Sequence, residues 1–259
     1  MVNNKNSTLD KILSVILIIV VTVFVFYALY NGFLHPVYKK IIANNHEYDV
    51  LGGMTDELKD CDLFEDMQSG KSFCFLGDSI TQGNVSYGIR WCQPLLKYIN
   101  GDVSYLCSPG WEVQDLIYHR DNIVSADVYV IAIGINDVID LDNEGITASE
   151  FTARCGNLAD IIKRINPDAV IYFIAPWTFI KFDKYRVERG TTFRTALDEW
   201  CSKTEYRFIN PEPAIKDVFI KKGASRYMEN QYHPNAPEGV ELFSYAVLKA
   251  NHDQRASKR

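Results

Sequence analysis

The longest apolar run of this chain lies near its amino terminus. From Ile12 to Leu34 there are 23 uncharged positions, dominated by Ile, Val, Leu and Phe. At about 1.5 Å per residue, a helix of this length crosses a hydrocarbon core of about 30 Å. The run is longer than the roughly 7 to 15 apolar residues of a signal peptide, and no clear small-x-small cleavage motif follows it. We therefore expect an uncleaved transmembrane helix over residues 12–34.

After residue 70, short apolar runs alternate with segments of helical periodicity. The run from Val128 to Ile133 is continuously apolar, which is typical of a strand covered on both faces, and we expect it at the centre of a sheet. In residues 149–166 the apolar positions recur at spacings of three and four, which predicts a helix with one buried face. Strands that alternate with helices predict a parallel sheet, because each parallel crossover needs a return of helical length.

These elements predict a three-layer α/β/α fold class. The predicted strands are Ser72–Leu76, Val103–Cys107, Asp127–Gly134, Ala169–Ala175 and Tyr206–Ile209. The predicted helices are Ile89–Ile99, Val113–His119, the segment 149–166, Thr192–Trp200 and Gly239–Ala250, with one short helix from Thr55.

The same patterns predict how the chain is divided. The parts are a short tail 1–11, the transmembrane helix 12–34, a membrane-proximal connector 35–70, an α/β domain 71–251 and a polar tail 252–259. We expect the basic, polar segment 251–259 to be disordered. Lys5 and Lys11 precede the span and Lys39 and Lys40 follow it, so the positive-inside rule does not fix the orientation. A short tail, one span and a large domain favour a signal anchor that places the domain outside the cytoplasm.

Charge and cysteine content exclude two classes of site. The net charge of −6 and the pI of about 5.4 argue against a nucleic-acid partner, which would require clustered Lys and Arg. The six cysteines form no Cys-x-x-Cys pair and have no ligand spacing with the five histidines, so we expect no metal site. Cys74, Cys107 and Cys155 lie in apolar segments, where a free cysteine packs as a small hydrophobe.

A candidate nucleophile follows the first predicted strand. The apolar run Cys74–Leu76 ends abruptly at Gly77, Asp78 and Ser79, an order that predicts a tight turn at the carboxyl edge of the sheet, where open α/β sheets place their sites. A serine hydroxyl becomes a good nucleophile only when a neighbouring base accepts its proton. Position along the chain leaves His119 and His233 as candidate bases, and the helical setting of His119 favours a packing role for it.

Four separated blocks extend this pattern, and together they resemble the SGNH (GDSL-type) hydrolase family over roughly residues 70–250. The blocks are Gly77-Asp78-Ser79-Ile80-Thr81, Ser108-Pro109-Gly110-Trp111, Gly134-Ile135-Asn136-Asp137 and Tyr232-His233-Pro234-Asn235. The resemblance implies a flavodoxin-like five-stranded sheet and a serine hydrolase that acts on esters without a cofactor.

The resemblance also implies roles for individual residues. Ser79 corresponds to the nucleophile and His233 to the base. The backbone amides of Ser79 and Gly110 and the side chain of Asn136 correspond to the oxyanion hole. The family usually carries an aspartate three residues before the histidine, whereas this chain has Asn230. Asn230 has three possible interpretations. The site is a Ser-His dyad, another acid such as Glu229 takes the place of the aspartate, or the domain has lost most of its turnover.

Two further features have alternative interpretations. Asp78 and Asp137 flank the site residues, and we expect them to accept hydrogen bonds from loop amides rather than to take part in catalysis. The aromatic segment Pro176–Arg189, with Trp177, Phe179, Phe182 and Tyr185, either shapes a substrate pocket or forms a surface loop with partly buried rings.

Three functions are consistent with this sequence. The first is a membrane-anchored serine esterase that cleaves a carboxylic ester, such as the O-acetyl groups of a cell-envelope glycan, through an acyl-serine intermediate. The second is an O-acyltransferase on a cell-envelope polysaccharide. The third is a degenerate binding or assembly domain, which Asn230 would explain.

Overall fold

The structure is a computed structural model that describes residues 3–139, 145–180 and 183–258, with side chains from residue 13 onward except that of residue 14. The chain forms two compact units, Met1–His46 and Glu47–Arg259. Phe182, one of the aromatic residues of the segment 176–189, lies outside the described residues.

The first unit is helical from Asn3 to Asn45. Helix α1 (Asn3–Leu29) leads into a π-helical turn (Tyr30–Leu34), and helix α2 (His35–Asn45) follows without a break. The described apolar side chains of residues 13–34 are exposed. Residues 15–45 are long and apolar enough to cross a membrane, a property that a signal sequence near the amino terminus would share. The helix therefore continues beyond the predicted limit at residue 34.

The second unit contains a five-stranded parallel sheet in the order β2-β1-β3-β4-β5. Its strands are β1 (Phe73–Gly77), β2 (Val103–Cys107), β3 (Val128–Ala132), β4 (Val170–Ile174) and β5 (Arg207–Ile209). Strand β3 is the central strand, as its continuous apolar run predicts, and its five residues are all buried. This topology confirms the predicted α/β/α fold class.

Helices cover both faces of the sheet. They are α3 (Asp56–Lys59), α4 (Asp62–Gln68), α5 (Ser79–Gln82), α6 (Val113–Tyr118), α7 (Ile135–Ile139), α8 (Ala148–Ile165), α9 (Lys184–Cys201), α10 (Glu212–Lys222) and α11 (Glu238–Ala256). Helices α3, α4, α10 and α11 bury apolar side chains on the face that carries Phe73 and Phe75. Helices α6, α8 and α9 cover the opposite face, which carries Cys74 and Leu76. The alternation of side chains along β1 thus supplies both cores.

Helix α8 illustrates how the sequence determines an element. Thr147 and Glu150 form a capping box, in which each side chain accepts a hydrogen bond from the other residue's backbone N–H, and the helix ends before Asn166. Phe151, Cys155, Leu158 and Ile162, spaced by three or four residues, are buried against the sheet. The predicted helix is confirmed, although it begins one residue earlier, at Ala148, and ends at Ile165.

The predicted connector 35–70 differs from the structure. Leu58, Leu63 and Met67 are buried in the core of the second unit, so the packed structure begins well before the predicted boundary at residue 71. The backbone N–H of Leu63 donates to Oδ1 of Asn251 at 2.8 Å. The charged residues of this segment alternate with apolar residues, and α11 packs on those apolar residues. The sequence of the segment alone does not show that a helix near the other end of the chain buries them.

The predicted disorder of residues 251–259 is wrong up to Ala256. Helix α11 continues to that residue, and Asn251 is buried. Arg255 pairs with Glu65 of α4 at 2.6 Å. Polar composition suggested disorder, but these polar groups find partners on α3 and α4.

Three other elements differ from the predictions. The predicted helix 89–99 is a 3-10 helix over Gln93–Tyr98 with a proline at its start. Helix α9 begins at Lys184 rather than at Thr192, because the side chain of Asp183 caps it by accepting from the N–H of Arg186. Helix α10 was not predicted.

All six cysteines are free thiols. Cys74 and Cys155 are buried in the core, as predicted, and Cys107 is half-buried at the end of β2. Burial raises the pKa of Cys74 to about 11, so this thiol stays protonated at neutral pH.

Candidate active site

The serine turn is built by two residues of the Gly77-Asp78-Ser79 block. Ser79 is the first residue of α5, and Oδ1 of Asp78 accepts the N–H of Ile80 at 2.9 Å, which caps that short helix. A Cβ on Gly77 would overlap the side chain of Thr81 and the carbonyl oxygen of Ala132. Only glycine therefore allows the chain to turn this tightly between β1 and α5.

The structure brings Ser79 and His233 together across 154 positions of the sequence. Ser79 Oγ lies 2.8 Å from His233 Nε2, and the two residues are only 6% and 7% exposed. His233 lies in a loop closed by an antiparallel bridge between Met228 and Pro234. The N–H of Glu229 donates to the carbonyl oxygen of His233 at 3.0 Å. The bridge and this hydrogen bond hold the loop that places the histidine against the serine.

Asn230 lies against the other ring nitrogen of His233. Its Oδ1 accepts the backbone N–H of His233 at 2.9 Å and that of Tyr232 at 3.1 Å, and these two donors fix the orientation of the amide. Nδ1 of His233 lies 3.1 Å from Oδ1 and 3.0 Å from Nδ2 of Asn230. If Nδ1–H donates to Oδ1, Nε2 is free to accept the proton of Ser79, which is the tautomer that a general base needs.

No carboxylate among the described residues hydrogen-bonds to the ring of His233, whose partners there are Ser79 and Asn230. Burial lowers the pKa of His233 to about 4. The imidazole is therefore neutral, and able to accept a proton, over most of the acidic and neutral pH range.

The predicted oxyanion-hole residues lie at the same edge of the sheet as Ser79. Gly77 pairs in register with both Cys107 and Ala132, so the segments that follow β1, β2 and β3 leave the sheet side by side. Gly110 has a φ of +78°, in the left-handed region that favours glycine. A Cβ there would meet open space, so backbone conformation, not crowding, requires glycine at this position.

Asn136, in the first turn of α7, connects to the segment that carries Gly110. Asn136 is 4% exposed, and its Nδ2 donates to the carbonyl oxygen of Trp111 at 2.8 Å. An amide nitrogen carries two hydrogens, so the second remains available for a substrate oxygen. This hydrogen bond orients Asn136 relative to the chain that leaves Gly110.

Two buried aspartates support the turns that carry these residues. Asp78 caps α5, and Oδ2 of Asp137 accepts the N–H of Val113 at 3.3 Å, so both accept loop amides as predicted. One oxygen of each carboxylate has no hydrogen-bond partner among the described residues. Burial raises the pKa of each aspartate to about 7, and nearby Glu112 contributes to the rise at Asp137.

Ser86 joins the serine side of the site to the histidine side, a contact that sequence reasoning missed. Its Oγ donates to the carbonyl oxygen of Pro234 at 2.6 Å, and Ser86 is 3% exposed. The segment that contains Ser86 follows α5, and Pro234 follows His233 directly. A serine in a polar loop carries no signal of such a bond, because the acceptor is a backbone oxygen 148 residues away.

The aromatic segment 176–189 does not act as one unit. Trp177 is 1% exposed and packs in the core against Trp91 and Phe243, with ring centroids 5.3 and 4.7 Å apart. Tyr185, on α9, is 63% exposed. The buried Trp177 agrees with the alternative interpretation, in which the segment contains partly buried rings.

One group of possible metal ligands occurs among the described residues, away from the serine turn. Glu57, His252 and Asp253 bring donor atoms within 4.8 Å of one another. Lys249 forms ion pairs with both carboxylates, so its ammonium group already balances their charge. This group belongs to the contacts between α3 and α11 and offers no chemistry to Ser79.

Comparisons with known proteins are consistent with this geometry. The profile of the GDSL-like Lipase/Acylhydrolase family matches residues 75–237. Among solved structures, a protein from Parabacteroides merdae described as a GDSL-like lipase is 17% identical, with a TM-score of 0.63 over 71% of this chain and 97% of that one. The acetylxylan esterase Axe2 from Geobacillus stearothermophilus is 19% identical, with a TM-score of 0.58 over 71% of this chain and 95% of that one. No curated protein matches the sequence significantly.

Proposed function

This chain belongs to the GDSL-like lipase/acylhydrolase family and is a serine ester hydrolase, and on that premise we propose that it removes O-acetyl groups from a cell-envelope glycan. The observation that carries the proposal is the 2.8 Å contact between Ser79 Oγ and His233 Nε2 in a buried setting. A solved structure of similar fold is described as an acetyl-xylooligosaccharide esterase, which supports an acetylated sugar as the substrate.

In the proposed reaction, Ser79 Oγ attacks the ester carbonyl while Nε2 of His233 takes its proton. The tetrahedral oxyanion accepts hydrogen bonds from the backbone amides of Ser79 and Gly110 and from Nδ2 of Asn136. Each such donor is typically worth about 3 to 4 kcal/mol of transition-state stabilisation. Collapse of this intermediate breaks the ester bond, and the leaving alcohol takes the proton from His233.

Water completes the proposed cycle. His233 Nε2 removes a proton from a water molecule, the resulting hydroxide attacks the acyl-Ser79 carbonyl, and the serine leaves with that proton. If a sugar hydroxyl took the place of water, the same steps would transfer the acyl group instead. Partitioning of the acyl-enzyme between water and an added sugar separates the esterase from the acyltransferase.

Asn230 is the proposed third member of this site. In serine triads a carboxylate fixes the tautomer of the histidine and stabilises the imidazolium. The neutral Oδ1 of Asn230 can perform the first of these tasks, because two backbone amides hold it in place 3.1 Å from Nδ1. The second task requires a negative charge, so we propose a Ser-His dyad oriented by Asn230.

We also propose that the amino-terminal helix anchors the hydrolase to a membrane, with the second unit outside the cytoplasm. Residues 15–45 form one continuous helix that is long and apolar enough to cross a membrane, and the described apolar side chains of residues 13–34 are exposed. Such a surface needs lipid or another apolar partner. The protein should stay in the membrane fraction after carbonate extraction at its full 29.6 kDa, whereas a shortened soluble product would identify the segment as a cleaved signal.

Covalent labelling tests the proposed nucleophile directly. A fluorophosphonate probe should label the full-length protein, and Ser79→Ala should abolish the labelling because it removes the reacting oxygen from a turn that its backbone still supports. Ser69→Ala is a control, since Ser69 is an exposed serine that follows the last residue of α4. Undiminished labelling of Ser79→Ala would contradict the nucleophile assignment, and a wild type that is never acylated would favour the degenerate binding domain.

A further inference from the structure

Three aromatic side chains lie next to the proposed oxyanion hole and are not used by the proposed chemistry. Trp111 and His119 stack with ring centroids 4.8 Å apart and an interplanar angle of 11°, and Tyr118 meets His119 edge to face at 5.5 Å. We call these three residues the Trp111 cluster. Helix α6 connects them, because Trp111 lies two residues before its first residue, Tyr118 ends it and His119 follows.

The position of this cluster relative to the proposed reaction centre is fixed by direct bonds. Trp111 follows Gly110 in the sequence, and its carbonyl oxygen accepts the hydrogen bond from Nδ2 of Asn136 at 2.8 Å. Two of the three proposed oxyanion donors are thus attached to Trp111, one covalently and one by a hydrogen bond. A substrate group that extends from the bound ester toward α6 would meet these rings.

The cluster presents an aromatic surface with polar edges. Tyr118 is 77% exposed, while Trp111 and His119 are half-buried. One turn before Tyr118, the exposed side chain of Gln114 has no hydrogen bond to another described residue. Burial of Trp111 against the second core and the cap of α6 hold this surface in place. A rigid arrangement of this kind loses little conformational entropy when a ligand binds.

We propose that the Trp111 cluster is a subsite for a sugar ring of the glycan whose ester is cleaved. This inference rests on the proposed function. A pyranose has an apolar face of C–H groups and a rim of hydroxyls, and it matches aromatic rings bordered by an amide and an imidazole. An acyl chain would require an enclosed apolar groove, whereas the two most exposed groups here are a phenol and a carboxamide.

Comparison of a large and a small ester tests the subsite. With the full-length protein in detergent micelles, Tyr118→Ala should raise KM for an O-acetylated xylo-oligosaccharide about 3- to 10-fold, the equivalent of one aromatic contact. His119→Ala should act in the same direction. Neither substitution should change kcat/KM for p-nitrophenyl acetate by more than about twofold, because that ester is too small to reach α6. Ile220→Ala, at an exposed side chain on α10, is the control and should leave the kinetics of both substrates unchanged.

Binding without turnover separates this inference from the proposed function. In the Ser79→Ala background, calorimetric titration with the same oligosaccharide should show binding that Tyr118→Ala weakens by a similar factor. If Tyr118→Ala weakens oligosaccharide binding, the subsite is supported even when the wild type hydrolyses no glycan. Absence of glycan hydrolysis by the wild type would overturn only the proposed function. Unchanged binding and unchanged KM in both cluster variants would overturn the subsite, as would a loss confined to long-chain acyl esters.

Discussion

Restoring the carboxylate at position 230 is the sharpest test of how this site works. In Asn230→Asp, a negative charge would replace the amide about 3 Å from Nδ1 of His233. The two backbone amides that now donate to Oδ1 would hold the carboxylate in the same place. The substitution changes charge with almost no change in shape, so its effect reports on electrostatics alone.

The magnitude follows from the environment of His233. Burial lowers its pKa to about 4, because the charged imidazolium is poorly solvated. An opposite charge within hydrogen-bonding distance typically moves a pKa by about 1 to 3 pH units, so the pKa of His233 should rise by that amount. Each pH unit corresponds to about 1.4 kcal/mol of stabilisation of the imidazolium, the form that develops in the transition state.

The expected kinetic result combines two changes. In serine proteases the loss of the triad carboxylate costs about ten-thousand-fold in kcat, which is an upper limit for the gain here. In the proposed dyad Asn230 already holds the tautomer of His233, so we expect kcat of Asn230→Asp to rise by less, about 10- to 1,000-fold, as 1 to 3 pH units imply. A base must be neutral, so the acidic limb of the pH profile should lie near 4 in the wild type and move upward by about 1 to 3 pH units.

The assay is kcat/KM for p-nitrophenyl acetate from pH 3.5 to 8, with Glu229→Gln as the control for the neighbouring acid. Glu229→Gln should change the profile little. A large loss in Glu229→Gln would make Glu229 the third member of the site. An Asn230→Asp profile with the same acidic limb and the same plateau would refute the proposed role of Asn230.

Three further predictions concern the supports of the site. Ser86→Ala should lower kcat about 10-fold with little change in KM, because the hydrogen bond from Ser86 to Pro234 positions the base. Ser86→Thr should recover part of the lost kcat. A change confined to KM would contradict this role of Ser86. Asp137→Asn should raise thermal stability more at pH 8 than at pH 5, which differential scanning fluorimetry measures. The folded pKa of about 7 lies above the unfolded value, so ionisation of Asp137 costs stability as pH rises from about 4 through 7; a pH-independent difference would contradict the assignment. Gly77→Ala should cost about 1 to 3 kcal/mol of unfolding free energy through overlap with Thr81, and an unchanged urea midpoint would refute the tight turn.

The sequence predicted the parts of this fold whose signals are local. Continuous apolar runs marked the strands, and the spacing of Phe151, Cys155 and Leu158 marked α8, because burial of one face imposes that period. The four motif blocks identified Ser79 and His233, and the structure places them in contact. Their roles as nucleophile and base remain predictions until the labelling experiments are done.

The sequence did not predict features that depend on distant partners. The covering of residues 56–68 by α11 and the hydrogen bond from Ser86 to Pro234 both join segments more than a hundred residues apart. The π-helical turn at residues 30–34 does not interrupt the helix. No change in amino-acid composition marks this turn in the sequence, so the sequence did not predict it. The core position of Trp177 was equally hidden, since an aromatic residue in a loop fits burial as well as exposure.

The packing of α11 on the segment before β1 also affects how the molecule is made. The hydrogen bond between Leu63 and Asn251 closes a separation of 188 residues, and the entropy of such a closure must be overcome before its contacts stabilise the chain. During synthesis the segment 47–69 emerges before the sheet, whereas its covering helix follows every strand of the sheet. We expect nascent chains that stop before α11 to remain open, with the apolar face of β1 exposed to chaperones. The proposed amino-terminal anchor would therefore meet a membrane before the hydrolase that follows it has folded.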